Sequence, residues 1–377
     1  MFTARHSRPT AISSPFVGYV CYFCQVNSST KTDAQSNVIY AITCAHQFFV
    51  RNFRFRSFHV HGCGCTVKST MPLNAIGSFL GVPVGLLVFL WILKAFKAKK
   101  KLDGKVVLIT GANSGLGKAC AKAFYQAKCK VILCGRNRTS LEDVKKELTE
   151  MKLSSSFQPE IVVMELENLS AIPQAISEAL RIHNSIDILI NNAGISYRGE
   201  IHNTMLDVDI KLMTVNYFAQ VAIIKAVLPT MKLQKSGSIV NISSVQGKIA
   251  IPYRSAYTAS KHAIQSFSDT LRAEVAEDNI HVCVISPGYI KTNLSHNAVC
   301  GDGSMYGVMD KTTESGMEPS YVATCVLSAI ESGDNEVTLC PIHHKIVIYI
   351  RNILPNIFFK LMSQRAMSSK NDFKKKA

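Results

Sequence analysis

The chain has 377 residues, of which 47% are apolar and 18% charged, so it can bury one large core or two modest ones. Its formal net charge of +16 and mean hydropathy of +0.14 exclude collagen, an acidic disordered chain and a small disulfide scaffold. The positive charge is diffuse and accompanies no zinc finger or basic helix with heptads, so we predict no nucleic-acid partner.

Residues 1–70 have no sustained helical or strand period, and we predict that they are a poorly ordered N-terminal extension or a start assigned upstream of Met71. Cysteines and histidines in this stretch are compatible with a zinc site. They do not form two regular knuckles, however, so we favour incidental composition and predict no metal. The residues concerned are Cys21, Cys24, Cys63, Cys65, His46, His59 and His61.

An uncharged stretch, Ala75–Leu93, comes after this extension and has the length needed to cross the hydrocarbon core of a bilayer. Pro83 and three glycines within it suit a membrane helix better than the alternative, a buried soluble helix. Five lysines between residues 94 and 101 favour a cytosolic location for the chain on their C-terminal side. We therefore predict a transmembrane anchor at 75–93 that retains the protein in a membrane.

The sequence from residue 102 to residue 340 alternates short apolar runs with segments of helical period. Seven nearly all-apolar strands separated by helices predict a doubly wound parallel sheet covered on both faces, the Rossmann-type α/β fold, in a single catalytic domain. The predicted strands are 105–110, 130–134, 160–166, 186–190, 238–242, 280–285 and 336–340, and the predicted helices include 117–127, 140–151 and 255–277.

The first strand runs directly into a glycine-rich turn and then a helix. In this position Gly111 allows a tight exit, Gly115 lets the backbone approach a pyrophosphate, and Gly117 allows close helix packing. The phosphates would then lie against the free N–H groups of the helix N-terminus. The predicted cofactor-binding residues of this turn are Thr110, Gly111, Asn113, Ser114, Gly115, Leu116 and Gly117.

The end of the second strand discriminates between the two nicotinamide dinucleotides. Proteins that bind NAD usually place a carboxylate here to hold the ribose hydroxyls, whereas this chain has Arg136 and no acid. A guanidinium is suited to a 2′-phosphate, so we predict NADP(H) as the cofactor. After the third strand, Glu165 or Glu167 is predicted to face the adenine.

Four motifs in this order resemble the short-chain dehydrogenase/reductase family over about residues 102–340. They are TGANSGLG, Asn191-Asn-Ala-Gly194, Tyr257-Thr-Ala-Ser-Lys261 and Pro287-Gly288. The resemblance implies that the second and fourth motifs contact the cofactor and that Thr292 contacts the nicotinamide amide. Glu165 departs from the family, which usually has Asp at that position. The cofactor contacts implied here are Asn192, Ala193, Gly194, Pro287, Gly288 and Thr292.

Tyr257 and Lys261 are four residues apart in a predicted helix and so share one face. A lysine ammonium one turn away lowers the pKa of a phenol, which allows Tyr257 to act as general acid and base. Lys261 is also placed to bind the nicotinamide ribose. The family resemblance adds Ser244, with Ser243 as the neighbouring alternative, to orient the substrate carbonyl, and Asn216 to hold a water for proton relay.

The C-terminal tail, residues 341–377, is apolar with basic residues interspersed, and we expect a helix that lies on a membrane, closes over the pocket or docks on the core. Its two adjacent histidines, His343 and His344, are expected to be polar caps or surface groups.

The last residues of the chain resemble a di-lysine retrieval signal of endoplasmic reticulum membrane proteins. We predict a single-pass protein of that membrane, with the peroxisomal membrane as the alternative and the catalytic domain in the cytosol. Family members also commonly form homo-oligomers.

The anchor and tail together predict a lipophilic ketone substrate that partitions into the bilayer. A membrane-bound branch of the family, which the chain resembles, implies an acyl- or alkyl-dihydroxyacetone phosphate, reduced to the alcohol while Ser244 and Tyr257 hold its carbonyl. Two alternatives remain open at this point. One is a steroid or retinoid substrate, and the other is a membrane scaffold that binds NADPH without turning it over.

Overall fold

The structure of the protein is a computed structural model that describes residues 99–151, 153 and 157–374. The predicted N-terminal extension, the predicted anchor at 75–93 and the last three residues lie outside the described residues.

A seven-stranded parallel sheet in the order β3-β2-β1-β4-β6-β7-β9 forms the centre of the described chain, as the alternating pattern predicts. Every strand of this sheet is short and rich in β-branched residues, as expected for strands covered on both faces. Its strands are β1 (Val106–Thr110), β2 (Lys130–Gly135), β3 (Glu160–Val163), β4 (Ile188–Asn191), β6 (Gly237–Ile242), β7 (Ile280–Pro287) and β9 (Glu336–Leu339).

Helices cover the two faces of the sheet because successive side chains along each strand point in opposite directions. The helices before β9 are α1 (Gly115–Gln126), α2 (Arg138–Glu150), α3 (Ile172–His183), α4 (Leu206–Met213), α5 (Ala219–Gln234), α6 (Ser255–Glu274), α7 (Lys311–Glu314) and α8 (Pro319–Ser332). Val107 and Ile109 of β1 pack with α1, α2 and α8, whereas Val106 and Leu108 pack with α3, α5 and α6.

The predicted boundaries differ from the structure mainly after the third strand. The strand predicted to reach Leu166 ends at Val163, and residues 164–167 instead turn along the wall of a cavity. The helix predicted to reach Glu277 ends at Glu274 and is followed by a short 3₁₀ turn.

One continuous helical run among the described residues, Leu206–Gln234, is long and apolar enough to cross a membrane by length and composition. It consists of α4, a π-helical turn at Thr214–Phe218 and α5. Ile223, Ile224 and Val227 are fully buried against the sheet, as in the core helix of a soluble domain. This run therefore adds no support for a membrane span.

Two further segments complete the described chain. A two-stranded parallel ladder joins β5 (Tyr197–Arg198) to β8 (Val299–Cys300) above the carboxyl ends of the main strands. After β9 the chain forms α9 (Ile342–Ile353) and α10 (Pro355–Lys374), which pack against each other. We call this pair the C-terminal hairpin.

Candidate active site

A cavity of about 820 Å³ lies at the carboxyl ends of the strands. The strand order reverses between β1 and β4, and parallel α/β sheets bind their ligands in the crevice at such a switch point. Residues from the glycine-rich turn, the ends of β2, β4, β6 and β7, helix α6 and the C-terminal hairpin all line this cavity.

The glycine-rich turn has the backbone that its sequence predicts. Gly111 and Gly115 have φ values of 65° and 51°, in the region that favours glycine. A Cβ on Gly117 would overlap the carbonyl oxygen of Gly111, so only glycine allows α1 to approach this closely. Ser114 precedes α1 without a side-chain capping bond, which leaves the first N–H groups of the helix for an anion. The turn therefore fits a pyrophosphate.

Thr110 and Asn192 connect this turn to the end of β4. The Oγ1 atom of Thr110 accepts hydrogen bonds from the backbone N–H groups of Asn192 and Ala193, both at 3.0 Å. In return, the Asn192 amide donates to the carbonyl oxygen of Thr110 at 2.9 Å. Deeper in the sheet, Asn191 donates to the Asn241 amide oxygen at 2.9 Å. These bonds hold the two strand ends in register at the floor of the cavity.

The end of the cavity beside β2 and β3 carries the side chains predicted for the adenosine half of the cofactor. Arg136 is exposed at the end of β2 and lines the cavity, and no described carboxylate lies within ion-pair distance of it. Glu165 and Glu167 both line the same end, and Glu167 pairs with Lys211 at 3.0 Å. A guanidinium available at this point is suited to a phosphate monoester.

The structure brings Ser244, Tyr257 and Lys261 together in one wall of the cavity. Ser244 follows β6, accepts the N–H of Gln246 at 3.1 Å, donates to the carbonyl oxygen of Pro287 at 3.5 Å and lies beside the Tyr257 phenol. The neighbouring Ser243 instead donates to the carbonyl oxygen of Lys261 at 3.3 Å, so Ser244 is the serine beside the phenol.

Burial shapes the protonation of this pair. Tyr257 and Lys261 are only 6% and 3% exposed. Desolvation raises the pKa of Tyr257, contrary to the fall predicted from Lys261, whereas Ser244 and the charge of Arg198 oppose that rise. Burial lowers the pKa of Lys261 to about 8, and its ammonium donates to the carbonyl oxygen of Ile242 at 2.8 Å. Its Nζ atom lies 5.8 Å from the centre of the Tyr257 ring.

Asn216 lies in the π-helical turn between α4 and α5, a feature that recurs at functional sites. Its amide accepts the N–H of Ile195 at 2.8 Å and donates to the carbonyl oxygen of Ile195 at 2.9 Å and to Ser260 at 3.0 Å. A Cβ on Gly194 would lie 3.0 Å from the Asn216 Oδ1 atom and 3.6 Å from the Lys261 Nζ atom. Asn216 and Lys261 therefore flank the same glycine.

The loop after β7 forms the opposite wall. Pro287 ends β7, and Gly288 donates its N–H to the carbonyl oxygen of Leu339 at 2.8 Å. Thr292 packs over Gly115, where an added Cβ would meet its methyl group at 3.1 Å. All three residues line the cavity beside Ser244, so they bound the space predicted for the nicotinamide.

Sequence reasoning did not place four cationic or titratable side chains in this cavity, and it expected two of them, His343 and His344, to be polar caps or surface groups. The four are Arg198, His343, His344 and Arg365. They belong to β5 and to the C-terminal hairpin, which are far apart in sequence. The Nδ1 atom of His344 is buried without a hydrogen-bond partner among the described residues, and burial lowers the pKa of this imidazole. Only the basic character of the tail hinted at this end of the cavity.

Arg198 belongs to a buried ion cluster. Its guanidinium donates to the Asp310 Oδ2 atom from Nη2 at 2.8 Å and to Ser196 at 2.7 Å. Arg254 shares the same carboxylate oxygen at 3.4 Å, and its pKa falls to about 9 because of burial and the charge of Arg198. Two guanidinium groups therefore share one carboxylate, which leaves this cluster with a net positive charge.

No group of three metal-ligating side chains occurs in the part of the chain that the structure describes.

A model of the short chain dehydrogenase family matches residues 105–301. A Drosophila melanogaster protein named dehydrogenase/reductase SDR family protein 7-like is 47% identical over 298 residues, which cover 78% of this chain and 91% of that protein. The mouse dehydrogenase/reductase SDR family member 7B is 48% identical over 283 residues, which cover 75% of this chain and 88% of that protein. These relatives confirm the family resemblance and the narrower branch within it.

Solved structures have the same fold. A short-chain dehydrogenase from Burkholderia cenocepacia in complex with NADP superposes with a TM-score of 0.58 at 24% identity, covering 70% of this chain and 99% of that one. A relative from Burkholderia phymatum in complex with NAD gives a TM-score of 0.60 at 22% identity, covering 67% of this chain and 94% of that one. The fold is thus shared by proteins that bind either dinucleotide.

Proposed function

The chain belongs to the short-chain dehydrogenase family and is an oxidoreductase that uses a nicotinamide cofactor, and from this premise we propose a membrane-anchored NADP(H)-dependent reductase of a lipophilic ketone. The observation that carries the proposal is the buried wall in which Ser244 lies beside Tyr257 and Lys261 follows one helical turn later. A non-catalytic scaffold has no need of this arrangement.

The chemistry requires one hydride and one proton for each ketone. When bound, NADPH supplies the hydride that reduces the carbonyl carbon. Tyr257 donates its phenolic proton to the carbonyl oxygen, and Ser244 stabilises the charge that develops there. The Lys261 ammonium stabilises the resulting phenolate, and Asn216 helps return a proton to it. The product is the secondary alcohol.

The preference for NADP(H) is supported by Arg136. Its guanidinium lines the adenosine end of the cavity, and the turn that contains it has no acid to hold a ribose 2′-hydroxyl. Glu165 and Glu167 follow the third strand, and we propose that they face the adenine and not the ribose.

The substrate class is supported by the charge of the other end. Arg198, His343, His344 and Arg365 line the cavity there, and every acidic residue that lines the cavity is on the adenosine side. An anionic head attached to a lipophilic ketone matches this polarity. We therefore propose an acyl- or alkyl-dihydroxyacetone phosphate as substrate. A neutral steroid or retinoid has no group that needs these charges.

The proposed location is the endoplasmic reticulum membrane, or the peroxisomal membrane, with the catalytic domain in the cytosol. The uncharged stretch at 75–93 and the lysines after it support this location.

We also propose a homo-oligomer. Leu206, Ile210 and Phe218, which are 71%, 53% and 48% exposed on one long helix, offer an apolar contact to a second copy.

The test is NADPH consumption by the detergent-solubilised full chain with palmitoyl-dihydroxyacetone phosphate and, separately, with steroid ketones. Tyr257→Phe should lower kcat by about 10²–10⁴-fold because the proton donor is lost. Tyr321→Phe, at a 57% exposed tyrosine of α8, is the matched control and should retain full activity. Tyr257-dependent turnover of steroids alone would keep the mechanism and replace the substrate. NADPH binding without any turnover would favour the scaffold.

A further inference from the structure

Helix α9 of the C-terminal hairpin has two unlike faces. Four residues spaced i, i+4, i+7 and i+11 form a single stripe, and each is more than half exposed. We call these residues the outer stripe: Ile342, Ile346, Tyr349 and Ile353, which are 72%, 51%, 65% and 72% exposed. The opposite face is half-buried and consists of His344, Val347, Ile348 and Arg351. Large apolar side chains aligned in this way indicate a surface that another apolar phase covers.

Helix α10 is fastened to the domain by its inner face. Phe358 is 1% exposed, and the Tyr253 hydroxyl donates to the carbonyl oxygen of Ala366 at 3.0 Å. The Arg351 guanidinium lies 5.7 Å from the Phe358 ring centre and 5.0 Å from that of Phe359, which joins α9 to α10. The hairpin is therefore a folded part of the domain, and its apolar outer residues are not simply those of a loose tail.

The hairpin carries a large excess of positive charge. Between Ile342 and Lys374 the one acidic residue is Asp372, against the six basic residues Lys345, Arg351, Lys360, Arg365, Lys370 and Lys374. A two-fold contact between two such surfaces would bring like charges together, which disfavours a second copy as the occupant. An anionic lipid surface complements both the charge and the apolar stripe.

The hairpin also forms part of the cavity wall. His343 and His344 at the start of α9, and Arg365 of α10, line the cavity while the outer stripe faces away from the core. The hairpin therefore connects the cavity wall to the exposed apolar stripe.

We propose that the C-terminal hairpin docks on the surface of an anionic lipid bilayer. The outer stripe of α9 enters the boundary between headgroups and acyl chains, and the cavity then opens at the membrane surface. The inference rests on the membrane-resident reductase proposed above and adds a second membrane contact, which determines where a lipid substrate enters.

The test uses a single tryptophan on the outer stripe of the full chain. Trp91 is the only tryptophan of the protein, so Trp91→Phe with Tyr349→Trp reports on α9 alone. The matched control is Trp91→Phe with Phe157→Trp. Phe157 is 38% exposed beside Lys130 at the amino end of β2, across the sheet from the cavity. Each variant is added to vesicles of phosphatidylcholine with phosphatidylserine, with and without brominated acyl chains, and association is measured separately by flotation.

Because interfacial helices bury their apolar face about 5–10 Å deep, bromine should quench the tryptophan at position 349 about twofold and the control little. Combining Lys345→Glu with Lys360→Glu should reduce that quenching. A chain that floats with vesicles while position 349 is not quenched would overturn the docking but not the anchoring. Failure to float would instead overturn the membrane residence of the proposed function. A position 349 that bromine does not quench on those vesicles but that is shielded from acrylamide would overturn the docking in favour of a second copy.

Discussion

The two ends of the cavity are built in different ways. At the cofactor end, backbone N–H groups, glycines and one short β–turn–α segment form the binding surface, with Thr110 and Asn192 bracing it. At the opposite end, which we propose to be the substrate end, side chains from β5 and the C-terminal hairpin meet across more than a hundred residues of sequence. Recognition by local backbone is visible in a sequence, whereas recognition by side chains assembled from distant segments is not.

The largest expected effect tests the backbone end. In Gly117→Ala the new Cβ overlaps the Gly111 carbonyl oxygen and lies 2.6 Å from the Asn192 amide nitrogen, and neither atom can move freely. We expect NADPH binding to fall below detection and stability to drop by about 1–3 kcal/mol, as in an overpacked core. Fluorescence titration with NADPH and thermal unfolding measure both. In Gly288→Ala the Cβ has contacts at an ordinary 3.5 Å, and that variant should keep near-normal stability. Normal cofactor affinity in Gly117→Ala would contradict the close-packing argument.

The next largest effect concerns the cavity wall that contains Ser244, Tyr257 and Lys261 and borders both ends of the cavity. Lys261→Met should lower kcat by about 10²–10⁴-fold, since the phenolate loses its supporting cation. The same change should stabilise the fold by about 1–3 kcal/mol at neutral pH, because burial lowers the lysine pKa from 10.5 to about 8. The lower end of this range of stabilisation allows for the loss of the hydrogen bond from Lys261 to the carbonyl oxygen of Ile242.

The pH dependence of this stabilisation has a defined sign. Between about pH 8 and pH 10.5 the folded lysine is neutral while the unfolded one still binds its proton, so wild-type stability rises with pH there. The advantage of Lys261→Met, measured by urea unfolding, should therefore shrink across that window. An advantage that stays constant with pH would show that desolvation of Lys261 is not its source.

Much of the fold and of the cofactor end could be predicted from the sequence. The seven strands were visible as apolar runs, and the spacing of Tyr257 and Lys261 placed both on α6. The third strand was predicted three residues too long, because the apolar pattern continues through Met164 and Leu166, which are buried outside the ladder. Residues that are buried outside the ladder and residues that pair in a strand are both apolar, so the sequence does not distinguish them at that point.

The substrate end could not be predicted because no local pattern encodes it. Arg198 is the second residue of a two-residue strand, and its position is set by its ion pair with the distant Asp310, a carboxylate that Arg254 shares. His344 and Arg365 reach the cavity only after β9 pairs with β7 and the chain turns back. Whether these side chains reach the cavity depends on the path of the chain after β9, which periodicity and short motifs do not predict.

A third prediction concerns Arg136, the side chain on which the proposed preference for NADP(H) rests. Arg136→Asp should raise the KM for NADPH by about 10–100-fold, the value of a charge-assisted hydrogen bond, and should improve the use of NADH. Steady-state kinetics with both dinucleotides measure the change. Arg138→Asp, two residues on and paired with Glu142 at 3.8 Å, carries the same charge change and lies outside the cavity lining. Equal loss of NADPH affinity in both variants would mean that Arg136 acts only through the general positive field.

The smallest expected effect belongs to the substrate end, where Arg365 is exposed and its charge is partly screened by solvent. Arg365→Gln should raise the KM for palmitoyl-dihydroxyacetone phosphate by about fivefold, which corresponds to about 1 kcal/mol for an exposed ion pair. The Kd for NADPH and the KM for any neutral ketone should not change. Lys360→Gln removes the same charge from the same helix at a position outside the cavity lining, so it serves as the control. If both variants raise the KM alike, the hairpin attracts the anion through its overall charge, and the specific contact assigned to Arg365 is wrong.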